Sequence, residues 1–306
     1  MRTMHRRQAD QRGPILARGL VYALLVVIGA ASCAPLPAAT EVAASASPRP
    51  SPTRSLLPSP LPGPTSTPER PRPPECRPSS IEAVDIPTIH LPEAMHASVY
   101  LPPCYPDHPG ERYPVLYLFH GLTYTDDQWI HLGVTRTADR LIALGELPPF
   151  IIVLPYDPSS QEPDQYGFAQ AVTQDLIPAV DSRYRTLAGR AYRAVGGLSR
   201  GAGWAIHLGL TRPDLFGAIG AHSVVVFGSD GMLVAGWLAA IPPGSMPRIY
   251  LDIGDEDAGL SSARLLEEML TAEDIPHEWH LDRGSHDEAY WSAHLEAYLR
   301  WYTQGW

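Results

Sequence analysis

From Ser79 to Trp306 short apolar runs alternate with segments of helical period, and this alternation leaves few possible folds. The strand-like runs are Val115 to Phe119, Phe150 to Leu154, Arg193 to Val195, Ala218 to Ala221 and Ile249 to Ile253, with a further candidate at Glu278 to Leu281. Between them, Val172, Leu176, Ile177 and Val180 share one helical face, as do Leu265, Leu266, Met269 and Leu270. The pattern predicts an α/β fold, a mostly parallel central sheet with helices on both faces. At 306 residues and 44% hydrophobic content the chain can hold one large domain plus non-globular extras. No internal repeat is visible.

The first part of the chain reads differently. Arg2, Arg6, Arg7, Arg12 and Arg18 precede an apolar run from Leu20 to Ala31 that is short for a bilayer span, the pattern of a targeting segment. The run closes on Ala30-Ala31-Ser32-Cys33, which resembles a bacterial lipoprotein processing site and makes Cys33 a lipidation candidate. Ala30 stands where Leu is usual, so ordinary signal cleavage stays open. Residues 34–78 are dominated by Pro, Ser, Thr and Ala and lack the apolar content to bury a core, as expected of a disordered linker. The expected organisation is a signal peptide at 1–33, the linker at 34–78 and a catalytic domain at 79–306, exported and either lipid-anchored or secreted.

Charge narrows the partners. The formal net charge of −10, with no long Lys/Arg block in the folded part, argues against nucleic acid and against any membrane contact beyond the N-terminal anchor. A small molecule fits better; the oligomeric state is not addressed by the sequence. With Cys33 assigned to lipid, Cys76 and Cys104 are a candidate disulfide, and two unpaired thiols are the alternative.

The chemistry concentrates where the strand Tyr192 to Gly196 turns into a helix through Gly197-Leu198-Ser199-Arg200-Gly201. A Gly-x-Ser-x-Gly turn between a strand and a helix is the setting of a nucleophile elbow, where side chains at either glycine would strike neighbouring backbone. Ser199 would then stand above the sheet at a helix N-terminus. A second element, the apolar strand from Pro114 ending in His120-Gly121-Leu122, can supply one backbone N–H to an oxyanion hole from Leu122, the other coming from Arg200. His120 reads as structural.

These features resemble a known family. Leu101-Pro102-Pro103 with Tyr105, the segment Tyr113 to Gly121, Asp127-Gln128-Trp129, Asp175 to Pro178 with Arg183-Tyr184-Arg185, Gly197 to Gly201, Pro213 to Phe216 and Gly284 to Asp287 are together similar to the esterase family. That family includes feruloyl esterases, S-formylglutathione hydrolases, enterochelin-esterase-like proteins and antigen-85 mycolyltransferases. The resemblance implies the α/β-hydrolase fold and acyl-ester chemistry. The chain departs from it at Arg200-Gly201-Ala202, where many members carry Met-Gly-Gly.

In this fold an acid and then a His follow the nucleophile. His286, in the loop Arg283-Gly284-Ser285 before the final helix, is the expected base; His207 lies too close behind Ser199, and His277 and His280 sit at a strand. For the acid the sequence offers Asp252, Asp255, Glu256 and Asp257. Asp252 lies inside a strand, and the family's Gly-x-x-Asp pattern carries over from Gly254 onto Asp257, with Asp255 as the alternative and Asp255 and Glu256 otherwise solvated. Trp129, Tyr156, Tyr166 and His222 are substrate-binding candidates, with Trp204 beside them.

The expected activity is hydrolysis of a small or medium carboxylic ester through an acyl-enzyme, with no metal and no organic cofactor required. An acyltransferase using the same triad and a non-catalytic binding module on the same fold are the alternatives.

Overall fold

The computed structural model describes residues 76–306; Cys33, the expected targeting segment and residues 34–75 of the expected linker lie outside them. The strands are β1 (Ser80–Ile86), β2 (Met95–Leu101), β3 (Val115–Phe119), β4 (Ile151–Pro155), β5 (Arg193–Leu198), β6 (Ala218–His222), β7 (Arg248–Gly254) and β8 (Glu278–Asp282). They form one eight-stranded sheet in the order β1-β2-β4-β3-β5-β6-β7-β8. The pairings β1 with β2 and β2 with β4 are antiparallel, and all the others are parallel.

The first two strands are additional to the six the apolar runs predict. β1 is an edge strand with only Val84 and Ile86 buried, and β2 carries His96 and Ser98, so neither offers a continuous apolar run. Cys76 and Cys104 are joined in a disulfide spanning 28 residues that closes the β1–β2 hairpin onto the domain. By chain entropy such a closure stabilises by about 3–4 kcal/mol. Arg77, beside Cys76, pairs with Asp107 at 2.8 Å on the same side of the hairpin.

Strand alternation splits the core between the two faces. Val115, Tyr117 and Phe119 of β3 pack with Val153, Val195 and the helix Arg200–Thr211, and Leu116 and Leu118 pack on the other face with Leu141 and the helix Glu288–Tyr302. The predicted face at Val172, Leu176, Ile177 and Val180 is buried throughout. The second predicted face holds only in part: Leu266 and Leu270 are buried, while Leu265 is 65% exposed on the outer side of the helix Leu260–Ala272. Among the described residues no helix is long and apolar enough to cross a membrane.

Chain order determines where a ligand can sit. From β3 the chain crosses to β4 on one side and then to β5 on the other, so β3 and β5 flank the point where strand order reverses. A crevice opens at such a point, outside the carboxyl ends of the strands. The turns and loops leaving β3, β5, β7 and β8 carry Leu122, Ser199, Asp257 and His286.

Candidate active site

Ser199 follows β5 directly, with φ 54° and ψ −121°, and caps the helix Arg200–Thr211. A non-glycine residue in this left-handed region costs about 1–3 kcal/mol and has to be held by its surroundings. Here the Ser199 N–H donates to the His222 carbonyl at 2.9 Å, and the Ser199 carbonyl accepts from the Ala202 and Gly203 N–H groups. The flanking glycines are sterically required: a Cβ on Gly197 would lie 2.2 Å from the Gly201 carbonyl oxygen, and one on Gly201 would lie 2.2 Å from that of Phe119.

Asp257, in the loop after β7, and His286, in the loop after β8, line up behind Ser199. His286 Nε2 lies 2.8 Å from Ser199 Oγ, and His286 Nδ1 lies 2.8 Å from Asp257 Oδ2. The second Asp257 oxygen accepts the Gly259 N–H at 2.7 Å, and Asp257 is 4% exposed. A carboxylate on Nδ1 fixes the proton there, which leaves the Nε2 lone pair facing the serine hydroxyl. The neighbouring acids are solvent-exposed, as expected, and each also makes one contact: Asp255 Oδ1 accepts the Gly284 N–H at 3.0 Å and Glu256 accepts from Ser285 Oγ at 3.4 Å. Both tie the β7 loop to the loop that carries His286.

The loop after β3 completes the site. The Gly121 N–H donates to Gln128 Oε1 at 2.8 Å, and His120 Nδ1 lies 2.7 Å from the Gly121 carbonyl oxygen. The backbone N–H groups of Leu122 and Arg200 have no acceptor among the described residues. Ser199 and His286 open into a cleft of about 670 Å³ walled by Leu122, Tyr124, Leu198, Glu288 and Trp291. The Glu288 carboxylate beside the Tyr124 phenol pushes it above its ordinary value. Such an arrangement can activate a hydroxyl, hold a developing oxyanion and return a proton to a leaving group.

Several expected cleft residues lie elsewhere. His222 is fully buried beneath the nucleophile, between Asp252 and Tyr302, because the last residue of β6 turns its side chain inward. Trp129 is 1% exposed and donates its Nε1 proton to the Phe119 carbonyl, bracing the β3 end from inside. Trp204 is likewise buried. Tyr156 and Tyr166 line a separate cavity of about 660 Å³ together with His96 and Asp126, whose lining does not include Ser199 or His286. The residues that do wall the serine cleft, Tyr124, Glu288 and Trp291, were not singled out in the sequence. The signal available was position: they flank the β3 loop and the His286 loop.

Comparison with known proteins bears on this geometry. A family model described as "Putative esterase" matches residues 89–302. An endo-1,4-beta-xylanase/feruloyl esterase from Xylanibacter ruminicola is 29% identical over 205 residues, covering 60% of this chain and 27% of that protein. The chain thus spans about a quarter of that relative's length. Among solved structures, a ferulic acid esterase superposes with TM-score 0.67 at 23% identity, covering 75% of this chain and 99% of the other. An S-formylglutathione hydrolase from Staphylococcus aureus superposes with TM-score 0.59 at 16% identity, covering 74% and 99%. These two likenesses show the α/β-hydrolase fold.

Proposed function

The chain belongs to the esterase family, and from that premise we propose that it is a serine carboxylic-ester hydrolase in which Ser199 is the nucleophile, His286 the general base and Asp257 the orienting acid. The observation that carries the reading is the unbroken hydrogen-bonded chain from Asp257 through His286 to a serine held at φ 54°. His286 Nε2 takes the Ser199 proton as the alkoxide attacks the ester carbonyl. The Leu122 and Arg200 N–H groups receive the oxyanion, and His286 returns the proton to the departing alcohol. Water, activated by the same imidazole, then releases the acid. Asp257 stays ionised throughout and keeps His286 in the productive tautomer.

The cleft admits a small or medium ester, and the carboxylates of Asp287 and Glu288 in its wall favour a neutral or cationic substrate over an anionic one. A relative and a solved structure similar to this chain are feruloyl or ferulic acid esterases, which makes feruloyl esters the first candidates to test. An exported setting is supported by the Cys76–Cys104 disulfide, which persists in oxidising compartments, and by the targeting pattern ending at Cys33. Anchoring through a lipid on Cys33 belongs to the same proposal.

The test is turnover of p-nitrophenyl acetate and methyl ferulate by Ser199→Ala. We expect a loss of about 10⁶-fold with unchanged circular dichroism. Turnover retained by the folded variant overturns the assignment.

A further inference from the structure

Leu122 and Arg200 come from different strand ends, β3 and β5, so their N–H groups converge only if something holds the two segments in register. Gly121 is held at both of its polar groups, by Gln128 and by His120. The Gly121 carbonyl and the Leu122 N–H belong to one planar peptide unit and point in opposite directions. The bond from His120 Nδ1 to that carbonyl therefore sets where the Leu122 N–H points.

His120 is oriented in turn. Its Nε2 accepts the backbone N–H of Asp157 at 2.9 Å, which leaves the proton on Nδ1. Burial pushes its imidazole below the ordinary value and keeps it neutral. Asp157 is a buried carboxylate at 7% exposure. Its Oδ2 accepts from Trp204 Nε1 at 2.8 Å and from the Arg200 guanidinium at 3.2 Å, and its Oδ1 accepts the Ser159 N–H at 3.0 Å. Arg200 reaches on to the Gln161 carbonyl at 2.6 Å and lies over the Phe227 ring at 4.9 Å. The circuit closes: the peptide carrying one N–H is joined through His120 and Asp157 to the side chain of the residue carrying the other.

We propose that Asp157 is a positioning residue of the Ser199 site: its backbone N–H holds His120 and its buried carboxylate holds Arg200, so that one anchored residue places both oxyanion donors relative to each other. The inference rests on the Ser199 reading above. It also gives Arg200, which stands where many members of the family carry Met, a use for its side chain distinct from that of its backbone.

The experiment compares wild type, Asp157→Asn and the pair Asp157→Asn/Arg200→Met, in which no unpaired cation is left in the interior. With p-nitrophenyl acetate, kcat falls about 10–100-fold in both variants while KM stays within about 2-fold, since the donors act on the oxyanion and not on the bound ester. Affinity for a trifluoromethyl ketone, which forms an oxyanionic adduct on the serine, weakens by the same factor as kcat. Wild-type kcat in Asp157→Asn, a kcat loss without the matching loss of ketone affinity, or wild-type turnover in the paired variant each overturns the proposal. Nitrogen-15 NMR of the His120 imidazole, recorded in a Ser199→Ala background, reads the brace without catalysis: Asp157→Asn keeps the backbone N–H at Nε2 but loosens the segment that carries it, so that hydrogen bond weakens and the imidazole resonances shift. An unchanged imidazole overturns the brace, whereas ester turnover by Ser199→Ala itself overturns the Ser199 reading.

Discussion

Two His–Asp pairs stand one above the other in this molecule, with almost the same contact geometry. His286 Nδ1 meets Asp257 at 2.8 Å, and His222 Nδ1 meets Asp252 at 2.6 Å. What differs is what lies beyond. The imidazole of His286 is 36% exposed and its Nε2 faces a serine hydroxyl at a cleft. Both side chains of the His222–Asp252 pair are 0% exposed, and Nε2 faces the Tyr302 hydroxyl. Asp252 Oδ2 also accepts from Tyr290 at 2.9 Å and Tyr298 at 2.6 Å, and burial together with the Asp252 charge drives the hydroxyls of Tyr290 and Tyr298 far above the usual tyrosine range. Those phenols hold their protons, so the lower pair is a closed, fully satisfied network. A His–Asp pair is therefore not a site in itself; access and the identity of the third partner make it one.

The comparison breaks most sharply at Asp257. Asp257→Asn is expected to lower kcat by about 10⁴-fold, because the imidazole loses its tautomer, with little change in thermal stability. A p-nitrophenyl ester assay beside a thermal melt checks both halves, and a variant that melts early but retains its kcat would reverse the roles of the pairs.

Asp252→Ala should behave the opposite way. Removing one partner of a buried network costs about 3–5 kcal/mol, read as a fall in Tm of roughly 10 °C for a domain of this size. Per folded molecule, kcat should change by far less than in Asp257→Asn. Calorimetry with active-site titration measures this, and a large loss of kcat at unchanged Tm would make the lower pair part of the chemistry.

Trp291 joins the two levels: its ring stands edge-on to His286 at 5.2 Å between centroids, and its Nε1 donates to Ser223 Oγ at 3.0 Å. Trp291→Phe keeps an aromatic ring against His286, though a smaller one, and loses the hydrogen bond, so stability should drop by at least about 1 kcal/mol and kcat by less than about 10-fold. Asp255→Asn is the smallest expected effect. Its carbonyl oxygen can still accept the Gly284 N–H, so kcat should stay within about 3-fold. A larger loss from Asp255→Asn than from Asp257→Asn would exchange their roles.

How much of this was legible in the sequence depends on how local each determinant is. The parallel strands announce themselves because strands buried on both faces must be continuously apolar, and β3, Val115–Phe119, has the same limits in sequence and structure. β1 escaped notice because an edge strand with one wet face carries no such run. The turn around Ser199 is legible because its demand is steric and short-ranged: two glycines and a small nucleophile within five residues. The cleft walls were not, since Tyr124, Glu288 and Trp291 are remote from Ser199 in sequence and meet it only when the β3 and β8 loops converge.

By itself, then, the sequence determined the six parallel strands of the sheet, the order of their chemistry along the chain and the sharp turn that carries Ser199, all properties of patterns a few residues long. The residues' own pattern left Asp255 open beside Asp257, which only the family resemblance singled out; tertiary structure alone decided that His222 is sealed beneath the site and that Asp157 and Arg200 bridge two strand ends. The reason is directional. A strand reverses the side of its side chains with each residue, so a register shift of one position where it ends exchanges a buried anchor for a group in the cleft, and only packing against the rest of the sheet selects between them.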